Sequence, residues 1–152
     1  MTETANSSSR KTPWLRTDQQ VIWRSFLGGT TILMDQLDRD LRSNHGISLS
    51  EYEIMVRLSE SPDHSIRMAD LAEAISHSRS RTTHTIRRLE KEGFVSRIQC
   101  DSDGRGVTAV LTKAGYAHLE QAAHTHVTGV HDYLVQAAND EEFAALGRIM
   151  DR

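Results

Sequence analysis

The sequence predicts a mainly α-helical fold with one small β-hairpin. Apolar residues recur at helical spacing through most of the 152 residues, and the period changes to two only over residues 95–100 and 107–111. Two prolines and 26% charged residues accompany that pattern, which suits long solvated helices. The length fits one domain, or one domain with an appendage, and leaves no room for a two-domain catalytic machine.

Residues 1–12 are polar apart from Met1 and Ala5 and read as a disordered arm. A long helix follows over 18–43, where Thr17 and Gln20 form a T-x-x-Q capping box. Its stripe of Ile22, Phe26, Thr30, Leu33, Leu37 and Leu41 is flanked by Trp23, Leu27 and Met34. Such a helix is roughly 39 Å long, too long to bury its stripe alone in a chain of this size. Asn44-His45-Gly46 ends it, with Gly46 as the left-handed residue after the last turn.

Ser50 and Glu53 form a second capping box, opening a helix that carries Tyr52, Ile54, Met55, Val56 and Leu58. Pro62 lies beyond its end, and Ser65-Ile66-Arg67 reads as a short strand. A short helix over 68–75 presents Leu71, Ala72 and Ile75 on one side. Ser76-His77-Ser78 breaks it, and Ser78 caps a helix over 79–92 with Thr82, Thr85, Ile86 and Leu89 inward. Gly93 ends that helix.

The two strands then flank Asp101-Ser102-Asp103-Gly104-Arg105-Gly106, which has the Asp-Gly chemistry of a hairpin tip. Thr112 caps a second long helix with Leu119, Ala122, Ala123, Val127, Val130, Leu134 and Val135 on its apolar side. Asn139 and Glu142 cap a closing helix bearing Phe143, Leu146, Ile149 and Met150.

The net charge of −3 hides an asymmetry. Between Ser76 and Gly106 seven Lys/Arg face four acids, a local +3, so the rest of the chain carries −6. Residues 79–88 hold four Arg and no acid. A basic island on an acidic chain is what local polyanion binding needs. The order of short helix, tight turn, basic helix and charged hairpin describes a winged helix-turn-helix. Its second helix keeps one face for packing and offers Arg79, Ser80, Thr83, His84, Arg87 and Lys91 on the other. Such a helix fits the major groove, where these side chains donate to base edges and phosphates. Arg105, between two glycines at the hairpin tip, is placed to enter a narrow minor groove, with Asp103 orienting its guanidinium.

Leu71-Ala72-Glu73, Ser78-Arg79-Ser80-Arg81, Arg88-Leu89-Glu90-Lys91-Glu92-Gly93-Phe94-Val95, Asp103-Gly104-Arg105-Gly106 and Leu111-Thr112-Lys113-Ala114-Gly115 resemble the MarR family of bacterial transcriptional regulators. The likeness runs from about Trp14 to Met150. It implies a homodimer of intertwined terminal helices with two winged DNA-binding lobes. The implied division is 13–46 and 113–152 for dimerisation and 47–112 for the lobe. The implied DNA contacts are Arg79, Ser80, Arg81, Thr83, His84 and Arg87, with Arg105 in the minor groove and Asp103 beside it. Arg88 matches the family's Arg before Leu-Glu, in a phosphate or local structural role. The wing departs from the family's Asp-Arg-Arg, with Gly104 in place of the first Arg.

Dimerisation also answers the burial problem, because two long amphipathic helices can cover their stripes against a symmetry mate. Two-fold symmetry spaces the reading helices about one DNA turn apart, roughly 34 Å, and predicts a palindromic operator in double-stranded DNA. The resemblance further implies a small-ligand pocket, for which Trp23, Phe26, Thr30, His45, Tyr52, Met55 and Arg57 are the candidates. Aromatic walls with a few polar groups suit a small aromatic acid or phenol whose anion meets His45 or an Arg.

Weaker signals point elsewhere. His118, His124, His126 and His131 share one helix at spacings that do not converge on one ion, so no metal or cofactor is expected. A metal-responsive regulator stands as one alternative and a winged-helix protein–protein adaptor as another; the adaptor requires an apolar outer face on helix 79–92. The single Cys100 lacks a resolving partner and excludes a disulfide within the chain. No nucleophile, phosphate loop or carboxylate pair has catalytic spacing, so the chain does not read as an enzyme. With no apolar run of 18 residues and no signal-peptide core, it reads as a cytoplasmic protein with no membrane contact.

Overall fold

A computed structural model describes residues 12–75, 79–99 and 106–151. The elements in chain order are α1 (Thr17–His45), α2 (Leu49–Glu60), β1 (Ser65–Arg67), α3 (Met68–Ala74), α4 (Arg79–Lys91), β2 (Val95–Gln99), β3 (Val107–Leu111), α5 (Lys113–Tyr133) and α6 (Asp140–Met150). Mostly helical with a small antiparallel sheet, this is the winged-helix architecture the sequence predicts. Residues 1–11 of the expected arm, the expected cap Ser78 and residues 101–105 of the expected hairpin tip lie outside the described residues, and Cys100 with them. The chain divides into two compact units, residues 1–32 and 33–152.

In the first unit, α1 begins at Thr17, one residue before the capping box on Thr17 and Gln20 requires. The Gln19 side chain accepts the Arg16 N–H at 3.0 Å, and the Gln20 amide donates to the Leu15 carbonyl. Arg16 also pairs with Asp18, and the Gln20 N–H that a Thr17 cap would receive donates to the Arg16 carbonyl at 2.9 Å. Trp14, Val21, Ile22 and Leu27 are exposed.

In the second unit, α2 opens on Ser48 and Glu51, not on Ser50 and Glu53. The Ser48 hydroxyl accepts the Glu51 N–H and the Glu51 carboxylate accepts the Ser48 N–H at 2.7 Å. Both S-x-x-E frames are legal locally. The earlier one wins because Asp38 of α1 accepts the otherwise unpaired Leu49 N–H at 2.8 Å. Gly46, at φ +70, supplies the left-handed step between α1 and α2.

The core joins Leu41 and Ile47 to Ile54, Met55 and Leu58 of α2, Leu71 of α3, Ile86 and Leu89 of α4, the sheet residues Val95, Ala109 and Leu111, and Leu119 and Ala122 of α5. Each large aliphatic side chain buried this fully contributes roughly 1.5–3 kcal/mol. β3 is the central strand, pairing antiparallel with β2 from Val95↔Leu111 to Gln99↔Val107. β1 joins its other edge through Ile66↔Ala109 and so adds a third strand to the hairpin. On α5 the apolar stripe divides: Leu119 and Ala122 are buried, whereas Val127 is 62% exposed. None of α6 is buried, although the expected Asn139–Glu142 capping box holds its start.

One hydroxyl joins the base of the hairpin to α5. Thr112 accepts the Gly115 N–H at 3.0 Å and donates to the Gly93 carbonyl at 2.7 Å. Gly93 itself sits at φ +76. The turn is so close that a Cβ on Gly115 would lie 2.1 Å from the Phe94 carbonyl oxygen and 2.8 Å from Leu111 Cδ1. Gly115→Ala gains about 1 kcal/mol of helix propensity, but the backbone clash costs about 3 kcal/mol or more. Urea unfolding should show a midpoint well below that of the wild type; an unchanged or higher midpoint would contradict this packing.

Candidate nucleic-acid interface

Helix α4 is sided as its spacing predicts. Thr82, Thr85, Ile86 and Leu89 are all buried, and Thr85 donates to the Arg81 carbonyl at 3.0 Å. The opposite face leaves Ser80, Arg81, His84, Arg87 and Lys91 exposed, with Thr83 half-buried. An apolar outer face is therefore missing. Arg79 opens the helix, but its side chain, like Asp103 and Arg105 of the wing, lies outside the described set.

The basic face is not uniformly available. Arg88 Nε binds Glu51 at 3.0 Å, Arg97 of β2 binds Glu90 of α4 at 2.8 Å, and Arg81 donates to Ser50 at a long 3.4 Å. The Arg97–Glu90 pair fixes the root of the hairpin to the helix it flanks. None of these partners could be read from the sequence, because each lies on a different element from its Arg.

The ligand candidates do not gather in one place. Tyr52 and Arg57 line a cleft of about 550 Å³ with Glu53, Val56, Glu60, Ala74, Ile75 and His126. Met55 is fully buried in the core. His45 binds the Thr125 hydroxyl at 2.7 Å, while its carbonyl receives His118 Nε2 at 3.0 Å, so it joins the end of α1 to α5. Trp23 and Phe26 stack on each other at 5.9 Å in the first unit, where Thr30 is half-buried. The cleft also contains His126, which the sequence presents only among four histidines on one helix. The His126 ring packs on Tyr52 at 4.5 Å, and its buried Nδ1 has no partner among the described residues. Its place on the inward stripe after Leu119 and Ala122 was the available signal. No group of three or more His, Cys, Asp or Glu among the described residues could hold a metal ion.

Known proteins share this fold. The MarR family model matches residues 47–107. The MarR-family regulator Sco3205 of Streptomyces coelicolor, in a structure with DNA, is 38% identical and superposes at a TM-score of 0.90. That likeness covers 94% of this chain and 89% of Sco3205. The chain belongs to the MarR family. AbsC, another MarR-family regulator of Streptomyces coelicolor, is 37% identical at a TM-score of 0.85, covering 91% of this chain and 93% of AbsC. The regulator PecS of Dickeya dadantii is 26% identical over 81% of this chain and 76% of its own length. This MarR-family chain is accordingly a transcriptional regulator, in keeping with the reading against an enzyme. No helix among its described residues is long and apolar enough to cross a membrane.

Burial lowers the pKa of His126, against a smaller raising effect from Glu53. Burial, and then the charge of His118, lowers that of His45. Both rings favour the neutral form in the folded protein, so on acidification the unfolded chain takes up protons first. The stability held by these neutral rings is complete above the unfolded value of about 6.5 and declines as pH falls through it. Urea midpoints should therefore drop between pH 7.5 and pH 5.5, with a smaller drop in His126→Phe. Equal midpoints at the two pH values would contradict the assignment.

Proposed function

We propose that this MarR-family regulator binds a palindromic operator in double-stranded DNA as a homodimer, represses transcription by occupying it, and releases it on binding a small phenol. The observation that carries the proposal is the sidedness of α4. Its inward residues are committed to the core, so Ser80, Thr83, His84 and Arg87 are held outward on a rigid helix, where a major groove can receive them. Arg79 and Arg81 belong to the same contact set, and Asp103 and Arg105 serve the minor groove. The complex of Sco3205 with DNA supports this reading.

A second copy of the chain is the partner proposed for the apolar residues left exposed. Val127 on α5 and Phe143, Ile149 and Met150 on α6 form one set, and Trp14, Ile22, Trp23 and Phe26 of the first unit another. This assigns 13–46 and 113–152 to dimerisation and 47–112 to the DNA-binding lobe, with 1–12 as an arm.

Chemistry narrows the ligand. Tyr52 and His126 offer ring surface, but the cleft that Arg57 lines also holds the carboxylates of Glu53 and Glu60. Two acids and one guanidinium in one cleft favour a neutral phenol over a carboxylic acid.

One titration series tests the proposal, using a duplex that the wild type enriches from a random-sequence pool. Arg87→Ala should lose roughly 1–3 kcal/mol of affinity and relax the preference at one base pair. Resorcinol should weaken wild-type binding more than benzoate does; a tenfold loss needs about 1.4 kcal/mol of differential binding. Sedimentation at micromolar protein should give a dimer. A monomer, wild-type affinity in Arg87→Ala, or indifference to resorcinol each removes the corresponding part.

A further inference from the structure

We propose that Arg88 acts in DNA recognition as a positioning residue, setting the attitude of α4 through the buried carboxylate of Glu51 and not through a DNA phosphate. This inference rests on α4 being the helix that reads DNA.

Glu51 is an unusual place for a charge. Its side chain is 4% exposed, and both of its oxygens are committed. Oε2 accepts the Ser48 N–H at 2.7 Å, closing the cap of α2, and Oε1 meets Arg88 Nε at 3.0 Å. A carboxylate withdrawn from water in this way demands a cation nearby. Arg42 also feels the charge of Glu51, but its own hydrogen bond goes to Asp38. Among the described residues Arg88 is thus the guanidinium bonded to Glu51. Swinging it out to a phosphate would exchange a tie to a buried anion for a contact with a hydrated one.

The tie is placed where it controls orientation. Arg81 and Arg88 stand seven residues apart on α4, two turns or about 10.5 Å along its axis. They reach neighbouring residues, Ser50 and Glu51, in the first turn of α2. That turn is anchored in turn to α1, because Asp38 accepts the Leu49 N–H and binds Arg42. Burial of Asp38 opposes its ionisation, but hydrogen bonds from Arg42 and Leu49 outweigh it and hold its pKa below the ordinary carboxylate value. A line of charged and capping bonds therefore runs from the end of α1 through the start of α2 to α4. The packing of Thr82, Thr85, Ile86 and Leu89 sets which face of α4 points outward, and the Glu51 tie trims the helix's final attitude against α2.

A phosphate contact and an orienting tie respond differently to salt. Loss of one phosphate contact reduces the slope of log K against log[salt] by about 0.9, because one fewer counterion is released. Loss of the tie loosens every base contact together and leaves the slope unchanged. The test uses the duplex that full-length wild type enriches from a random-sequence pool, titrated across a salt series with Arg88→Gln, Glu51→Gln and the double variant. Glu51→Gln keeps the side-chain volume and the oxygen that caps Ser48. Each single variant should weaken binding by about tenfold at the wild-type salt slope, and the double variant should be no weaker than the worse single one. A slope reduced by about 0.9 in Arg88→Gln, wild-type affinity in Glu51→Gln, or additive losses would overturn the proposal while leaving DNA reading by α4 intact. If Glu51→Gln fails to fold, the slope measured for the surface variant Arg88→Gln decides alone. A wild type that enriches no sequence overturns the DNA reading, and this inference with it.

Discussion

The structure depends on one sided helix. α4 carries few large apolar residues, yet it is pinned to the core by Thr82, Thr85, Ile86 and Leu89, which lie at helical spacing on one face and are buried. The two threonines matter as much as the two aliphatics. They let the helix sit close against α2 and α3, and Thr85 settles its hydroxyl on the Arg81 carbonyl. With that face committed, Ser80, Arg81, His84, Arg87 and Lys91 are left exposed on the other side. The polar, basic character of the exposed side follows from sequence composition, and its placement follows from packing.

Around that helix the molecule places local devices that set angles. Thr112 binds the α4–β2 turn to the start of α5 with one hydroxyl, and Gly115 permits the approach. Arg97 and Glu90 hold the root of the hairpin to α4, and Arg88 and Glu51 hold α4 to α2. A solvated pair such as Arg97–Glu90 contributes little to stability, typically less than 1 kcal/mol. Under the proposed reading the value of these ties is in orientation, since a helix that reads a groove needs its side chains placed to about half an ångström. Glu51 differs from the others because its burial makes its partner hard to exchange.

How much could be read beforehand tracks how local each feature is. The inward face of α4, the left-handed Gly46 and Gly93, the Thr112 cap and the Asn139–Glu142 box all depend on residues within a turn of one another. Each was legible in the sequence. Where two local frames were equally good, sequence could not choose. Ser48 with Glu51 and Ser50 with Glu53 satisfy the same pattern, and Asp38, eleven residues before Leu49, settles the matter. The pairing of β1 with β3, the Arg88–Glu51 tie and the cleft around His126 join residues dozens of positions apart. No periodicity encodes those meetings. The candidates Met55 and His45 illustrate the limit. Their residue types suit a ligand wall, but neither lines the cleft: core packing takes Met55, and His45 binds Thr125.

The central claim is that two copies of α4 enter successive major grooves on one face of a duplex. Methylation interference at guanine N7, on a duplex enriched by the wild type, tests it most directly because N7 is exposed only in the major groove. The account predicts two symmetry-related patches of interference with centres about 10 base pairs apart. A single patch, or interference spread evenly along the duplex, would contradict it.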